Sequence, residues 1–278
     1  MKIVIIPNEK KDKGFQVTHR VIAELLLHKA EVYIDASLQI HAEGVVLYSH
    51  FPADAQFIIV IGGDGSILNA AHYAIRYGIP LIGINLGRLG YMSELAPSEI
   101  PMLASLFKGD YIVEEKMLLS LSVDGVKASE HVAVNEVVFS HSNPVELTYL
   151  VLTDRYGASL KYRADGLILS TPVGSTAYSL SAGGPIVLQD HPSILATPIC
   201  PHSFFGRSIV FSDSEMLSVS CGSPASLNIV VDGRPWGVLS AGASCRVQRS
   251  KNNLKMVTFQ KENRTKTLFS KLHSLDEI

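Results

Sequence analysis

The sequence predicts an α/β domain followed by an all-β one: an N-terminal parallel-sheet domain over residues 1–112 and a C-terminal β-rich domain over residues 113–259. Three observations predict it. Up to residue 112, apolar runs of strand length alternate with segments at helical spacing, the pattern of a parallel sheet covered on both faces. Beyond it, short strand-like runs and two Asp-Gly turn signals dominate. The composition, 47% hydrophobic and 18% charged over 278 residues, supplies a core and excludes global disorder.

In the first part, Lys2–Ile6 is a buried strand and Val17–Leu27 a helix, with Val21, Ile22, Leu25 and Leu26 on its apolar face. Glu31–Ile34 is a short strand. Phe57–Ile61 is apolar and β-branched, and ends in Gly62-Gly63-Asp64-Gly65-Ser66. A helix follows through Ile67, Leu68, Ala71, Ala74 and Ile75, stopped by Gly78 and Pro80. Pro80–Asn85 is another buried strand, and Ser98–Phe107 a helix closed by Gly109.

In the second part, Leu118–Val123 and Asp124-Gly125 read as a strand entering a hairpin. Further strands are Val134–Ser140, Leu147–Asp154, Ala158–Tyr162, Leu167–Ser170, Ser208–Phe211, Met216–Ser220 and Leu227–Val231. Asp232-Gly233 turns the chain into Trp236–Leu239. One helix interrupts this region near Thr176, and the tail 260–278 reads as polar and helical, able to pack back on the first domain.

Charge and cysteine content narrow the function. The net charge of −2 lacks the basic excess of a general nucleic-acid binder. It leaves room for an anionic small molecule, because backbone amides hold phosphate without a basic surface. Cys200, Cys221 and Cys245 are too few and scattered for a disulfide framework or zinc site and read as core residues. His19, His28, His72, His141, His191 and His202 show no ligand spacing with carboxylates or cysteines. The opening Met1–Pro7 run is too short for a signal peptide, and no stretch approaches the ~20 apolar residues of a membrane span. The expected location is the cytoplasm, with no membrane partner.

Four motifs carry the chemistry. Gly62-Gly63-Asp64-Gly65-Ser66 joins a buried strand to a helix; its glycines let the backbone approach a ligand, and the helix start suits phosphate. It has neither the Gly-Lys-Ser/Thr ending of a Walker loop nor a Gly-x-Gly-x-x-Gly fingerprint. Asp64 reads either as a helix cap or as a group that abstracts a hydroxyl proton or helps hold Mg²⁺. Asn85-Leu86-Gly87-Arg88-Leu89-Gly90-Tyr91 follows the next strand, at the sheet edge where ligands gather; Tyr91 either stacks on a base or closes the core. Asn135-Glu136 puts two polar residues on opposite faces of an apolar strand, so one meets a core, a ligand or another subunit. Thr171–Pro185 combines a strand break, hydroxyls with Ser175 or Thr176 as helix cap, and a Gly183-Gly184-Pro185 stop. Ser175 is not flanked as a nucleophile elbow, and no hydrolase triad is apparent.

In this order, and with Asp165-Gly166 and Pro198-Ile199-Cys200-Pro201-His202-Ser203, the motifs resemble the NAD kinase family, from about Lys2 to Phe259. Gly-Gly-Asp-Gly alone is shared with lipid kinases and resembles phosphofructokinase loops; Gly174–Ser179 together with Asn135-Glu136 is the specific part. The resemblance implies a Rossmann-like N-terminal domain for the phosphate donor and a β-sandwich-like C-terminal domain for NAD, with NAD in the crevice between them. It implies transfer of the γ-phosphoryl group of ATP, or of polyphosphate, to the 2′-hydroxyl of the adenosine ribose of NAD.

In that reading Asp64 is the general base, Gly62, Gly63 and Gly65 line the phosphate path, and Mg²⁺ is bridged through substrate phosphates rather than held by a dedicated protein site. Asn85 and Tyr91 join the nucleotide site. Asn135, Glu136, Arg163, Asp165, Thr176, Ala177, Tyr178, Ser179, Leu180, Ser181 and Arg234 match NAD contacts of the family. A homodimer or homotetramer is implied. Departures are Ser66 for the commoner threonine, Tyr91 for phenylalanine, and Phe204-Phe205-Gly206-Arg207-Ser208 for a small-polar, Arg-Pro sequence. The alternatives are a lipid kinase sharing the glycine loop and a non-catalytic NAD(P) sensor; a retained Asp64 and the absence of an amphipathic membrane helix speak against them.

Overall fold

The computed structural model describes residues 1–87, 90–124, 131–141, 148–202, 205–221, 226–259 and 269. The chain divides into two compact units, Met1–Glu115 with Leu254–Ile278, and Lys116–Asn253.

The first unit is built on five parallel strands, β1 (Lys2–Pro7), β2 (Glu31–Asp35), β3 (Val45–Tyr48), β4 (Phe57–Gly62) and β5 (Leu81–Asn85), in spatial order β3-β2-β1-β4-β5. Every residue of β4 and β5 is buried, as a strand covered on both faces requires. The helices are α1 (Gln16–Leu27), α2 (Asp64–Tyr77) and α3 (Ala104–Lys108). α1 buries Thr18, Val21, Ile22 and Leu25, one face of a 3.6-residue period. Its start is satisfied by buried Asp12, which accepts from the amides of Val17 (3.0 Å) and Thr18 (2.9 Å) and from the Thr18 hydroxyl (2.6 Å). α2 ends at left-handed Gly78, whose amide donates to the Ala74 carbonyl. Ile3, Ile5, Leu25, Ile34, Ile59, Ile61 and Leu103 form the center of this core.

Two local expectations are corrected here. β3 was not predicted: it is a four-residue edge strand with its two middle residues exposed, too short and irregular for a periodic signal. The helix expected over Ser98–Phe107 is mostly a 3-10 segment, Pro97–Leu103, with α3 starting only at Ala104. Pro101 lies inside that segment, where it has no amide to donate and disfavors the α conformation at Ile100.

The second unit contains β6 (Ile112–Val123, entering from the first unit), β7 (His131–Ala133), β8 (Glu136–His141), β9 (Thr148–Thr153), β10 (Ser159–Ala164), β11 (Gly166–Ser170), the one-turn helix α4 (Tyr178–Ser181), β12 (Ser193–Ile199), β13 (Ile209–Ser212), β14 (Met216–Cys221), β15 (Leu227–Val231), β16 (Arg234–Leu239) and most of β17 (Ser244–Thr258). An antiparallel sheet runs β13-β12-β11-β8-β15-β16, and β10, β9, β14 and β17 pair antiparallel in that order. Phe139, Leu167, Leu169 and Ile229 from the first sheet join Leu150, Tyr162, Leu217 and Val247 from the second in one core, the packing of a β-sandwich. β12 and β17 were not predicted as strands. β17 is polar, with only Cys245, Val247, Ser250 and Leu254 buried among charged neighbors over most of its length.

Asp232 and Gly233 have φ of +47° and +75°, the two positive values of a tight hairpin turn between β15 and β16. β6 does pair antiparallel with β7, but Gly125 of the other expected turn lies outside the described residues. The end of β17 returns to the first unit: Met256 pairs with Leu81, and Glu94 accepts from the Thr258 hydroxyl (2.6 Å) and the Phe259 amide (2.9 Å). Apart from Phe269, the expected helical tail lies outside the described residues, as do Arg88, Leu89, Ser203 and Phe204.

Candidate functional sites in the two units

In the first unit the glycine loop leaves the end of β4 and starts α2. Gly63 is the cap residue; Asp64 is the first helical residue and makes no side-chain cap bond. The cap reading of Asp64 is thereby corrected. Its carboxylate instead accepts from the backbone amides of Tyr91 (2.7 Å) and Met92 (3.2 Å). A Cβ on Gly90 would run into that carboxylate, so glycine is required for the approach. A Cβ on Gly65 meets nothing within 4 Å, so protein packing leaves the space beside this residue open. Asn85 is buried; its side-chain amide donates to the Gly87 carbonyl (3.0 Å), and its oxygen lies 3.9 Å from where a Cβ on Gly63 would stand. Burial and the neighboring Asp64 carboxylate push the Tyr91 phenol above its usual range. Gly62, Gly63, Asp64, Asn85 and Tyr91 are thus gathered at one end of the sheet.

In the second unit a second set converges on the start of β8. Asp232 accepts from the amides of Val134 (2.8 Å), Asn135 (2.7 Å) and Glu136 (3.1 Å), anchoring the Asn-Glu pair from the hairpin tip. Glu136 is 6% exposed, and its carboxyl is pushed up to about 7, first by burial and then by the charge of Asp232. The Tyr178 amide donates to it and pulls the other way. Its Oε2 is buried with no hydrogen-bond partner among the described residues. The Thr171–Pro185 segment packs on the same backbone. The Thr171 amide donates to the Asn135 carbonyl (2.9 Å), its hydroxyl donates to the Val134 carbonyl (2.7 Å), and a Cβ on Gly174 would collide with the Asn135 carbonyl.

The hydroxyls of this segment divide by role. Ser175 and Thr176 do not cap α4: Ser175 donates to the Pro172 carbonyl (2.7 Å) and Thr176 to the Val173 carbonyl (3.1 Å). The Ser179 hydroxyl is buried against that of Thr197 (2.9 Å). Ala177 and Leu180 are partly buried, whereas Tyr178 and Ser181 are exposed. Arg163 projects from β10 and Arg234 opens β16, both exposed. Asp165 lies between His141 (3.8 Å) and His202 (3.9 Å), a carboxylate–histidine proximity the sequence spacing did not reveal, because three separate strands or loops bring it about.

Sequence reasoning missed other residues of these clusters. Ser170 faces Glu136 across β11 and β8, and its hydroxyl is likewise buried without a partner among the described residues. Asn8 and Lys11 follow β1 and reach the glycine loop: the Asn8 side-chain amide donates to the Ser66 hydroxyl (2.8 Å). The signal for them was their position just after a parallel strand, where ligands of α/β sheets bind.

Comparison with known proteins agrees with both halves. Residues 3–111 match the ATP-NAD kinase N-terminal domain and residues 134–259 the ATP-NAD kinase C-terminal domain. Similar curated proteins include an NAD kinase of Caldanaerobacter subterraneus, 36% identical over 245 residues covering 84% of this chain and 85% of that protein. An NAD kinase of Natranaerobius thermophilus is 34% identical over 282 residues, covering 99% and 98%. Among solved structures, an NAD kinase from Archaeoglobus fulgidus in complex with ATP superposes with a TM-score of 0.77 at 25% identity, covering 99% of both chains. A yeast NADH kinase complexed with NADH gives 0.81 at 25% identity, covering 95% of this chain and 84% of that one. Matched along both halves and aligned over almost its whole length, the chain belongs to the ATP-NAD kinase family.

Proposed function

We propose that the chain transfers the γ-phosphoryl group of ATP, or the terminal group of polyphosphate, to the 2′-hydroxyl of the adenosine ribose of NAD, giving NADP. The observation that carries the reading is the Asp64 carboxylate, fixed by two backbone amides at the mouth of a glycine loop and the start of a helix. Asp64 takes the 2′-hydroxyl proton as that oxygen bonds to the γ-phosphorus. The bond from that phosphorus to the β–γ bridging oxygen breaks, and ADP leaves with the electron pair. Such a transfer needs positioning and charge neutralisation more than covalent chemistry, which suits amides and one oriented carboxylate. Gly62, Gly63 and Gly65 line the donor phosphates. The Asp64 carboxylate and the Asn85 side-chain oxygen are hard donors that suit Mg²⁺ alongside phosphate oxygens. Bound with the phosphates, Mg²⁺ would supply neutralisation of the transferring group.

NAD is held by Asn135, Glu136, Asp165 and the 176–181 segment, with Tyr91 stacking on its base and Arg163 and Arg234 as outer polar contacts. The buried Glu136 oxygen supports this reading, because a ligand hydroxyl gives it the partner that the described residues do not. The N-terminal unit serves the phosphate donor and the C-terminal unit NAD. Assembly as a homodimer or homotetramer and a cytoplasmic location complete the proposal; free Cys200, Cys221 and Cys245 fit a reducing compartment. No helix among the described residues is long and apolar enough to cross a membrane.

The test is an assay with Mg²⁺ and ATP against NAD, NADH and diacylglycerol. We expect NADP from NAD, a loss of at least 1,000-fold in kcat for Asp64→Asn, and retained NAD binding. Product from diacylglycerol alone overturns the substrate assignment, and near-normal turnover of Asp64→Asn overturns the base.

A further inference from the structure

The glycine loop brings no cation of its own: the residues after Gly62-Gly63-Asp64-Gly65 are Ser66, Ile67 and Leu68. The fold supplies one from a different loop. β1 lies between β2 and β4, and the chain leaves β1 toward β2, so the carboxyl ends of β1 and β4 form the point where strand order reverses. A crevice opens there in sheets of this kind. The turn after β1 is tied to the glycine loop through Asn8. Its backbone amide donates to the Ile61 carbonyl (2.8 Å) and its side-chain amide to the Ser66 hydroxyl (2.8 Å). Its side-chain oxygen accepts from the amides of Lys10 (3.1 Å) and Lys11 (3.2 Å). The Lys11 ammonium then stands 2.9 Å from where a Cβ on Gly63 would be, so it occupies space left by the missing side chain. Lys11, Lys13, Asn85 and Gly87 line a cleft of about 520 Å³ in the same unit.

We infer that Lys11 is a catalytic residue of the donor half: its ammonium binds the terminal phosphates of the donor and neutralises charge as the phosphoryl group moves. Asn8 is the positioning residue that holds the Lys11 turn against the loop. The inference rests on the phosphoryl-transfer reading above and assigns a role to residues outside its motifs. The ligand chemistry is a phosphate chain, common to ATP and inorganic polyphosphate. A single point charge over backbone amides recognises phosphate and ignores the base.

The test compares wild type, Lys11→Ala and Lys11→Arg, with ATP or inorganic polyphosphate varied at saturating NAD. Calorimetry of inorganic tripolyphosphate binding is measured in parallel. Lys11→Ala should raise KM for whichever donor is used by about 10- to 100-fold, the usual loss for a charged hydrogen bond. KM for NAD should stay within twofold, Lys11→Arg should recover most of the loss, and tripolyphosphate affinity should fall by a similar factor. Turnover with ATP alone or with both donors identifies the source of the chain, and the Lys11→Ala loss supports the assignment in either case. Unchanged donor KM and tripolyphosphate affinity in a folded Lys11→Ala protein overturn it. A wild type that makes no NADP, yet binds tripolyphosphate through Lys11, overturns the function and leaves this site standing.

Discussion

Glu136 shows what a buried carboxyl with an oxygen unpartnered among the described residues costs the fold. Its carboxyl is buried beside Asp232 and keeps its proton up to about 7 in the folded protein, against an ordinary 4.5. Between those values the folded state binds more protons than the unfolded one, so this group makes stability fall as pH rises through that window. The stabilising contribution is fully present below about 4.5 and gone above about 7, a span of about 3 kcal/mol at most. The Asp232 carboxyl is raised by burial too and acts with the same sign. Glu136→Gln removes the ionisable group, so urea unfolding should show the variant gaining on wild type from pH 5 to pH 8, by 1–3 kcal/mol. NAD affinity should fall at least tenfold. A stability difference that is the same at both pH values refutes a buried, reluctant carboxylate at this position.

At the level of elements, the loop after β5 and the start of α2 form one device. The Tyr91 and Met92 amides hold the Asp64 carboxylate, and only a glycine at 90 admits it. Gly90→Ala should turn the carboxylate away and lower kcat about 100-fold while leaving KM for NAD within threefold, since reacting groups displaced by ~1 Å lose about that much. Steady-state kinetics decides it; a rise in KM with kcat intact would show that the loop binds substrate rather than aims the base. The motif was legible in the sequence, but its role was not. Its place after a buried strand put Asn85–Tyr91 where ligands gather and left Tyr91 open between base stacking and core closure, whereas the contact that matters joins residues 27 apart. The same holds for the Asp232 hairpin, read as a turn and found anchoring amides 96 to 98 positions away. Strands with continuous apolar runs, β1, β4 and β5, announced themselves. β17 did not, because it spends most of its length half-exposed and polar.

At the scale of the whole molecule, a net charge of −2 is compatible with phosphate ligands because the cations and amides are local. Lys11 and Lys13 flank one cleft; no basic surface is needed. That arrangement makes ligand effects local as well. Hydrogen exchange followed by mass spectrometry should therefore separate the substrates. ATP with Mg²⁺ should slow exchange over residues 8–11 and 62–67, the turn after β1 and the glycine loop it is tied to. NAD should slow it over 134–137 and 171–181, where Glu136, Thr171 and Gly174 interlock. At about 100 times its Kd, each ligand stabilises what it binds by about 2.7 kcal/mol, or up to about 100-fold slower exchange for amides that open with the site. At the same ATP concentration Lys11→Ala should cut the ATP protection to about 2- to 11-fold and preserve the NAD protection, because the two clusters are built from different units of the chain. If NAD leaves 134–137 and 171–181 unprotected, the division of labor between the units is wrong even where NADP is made.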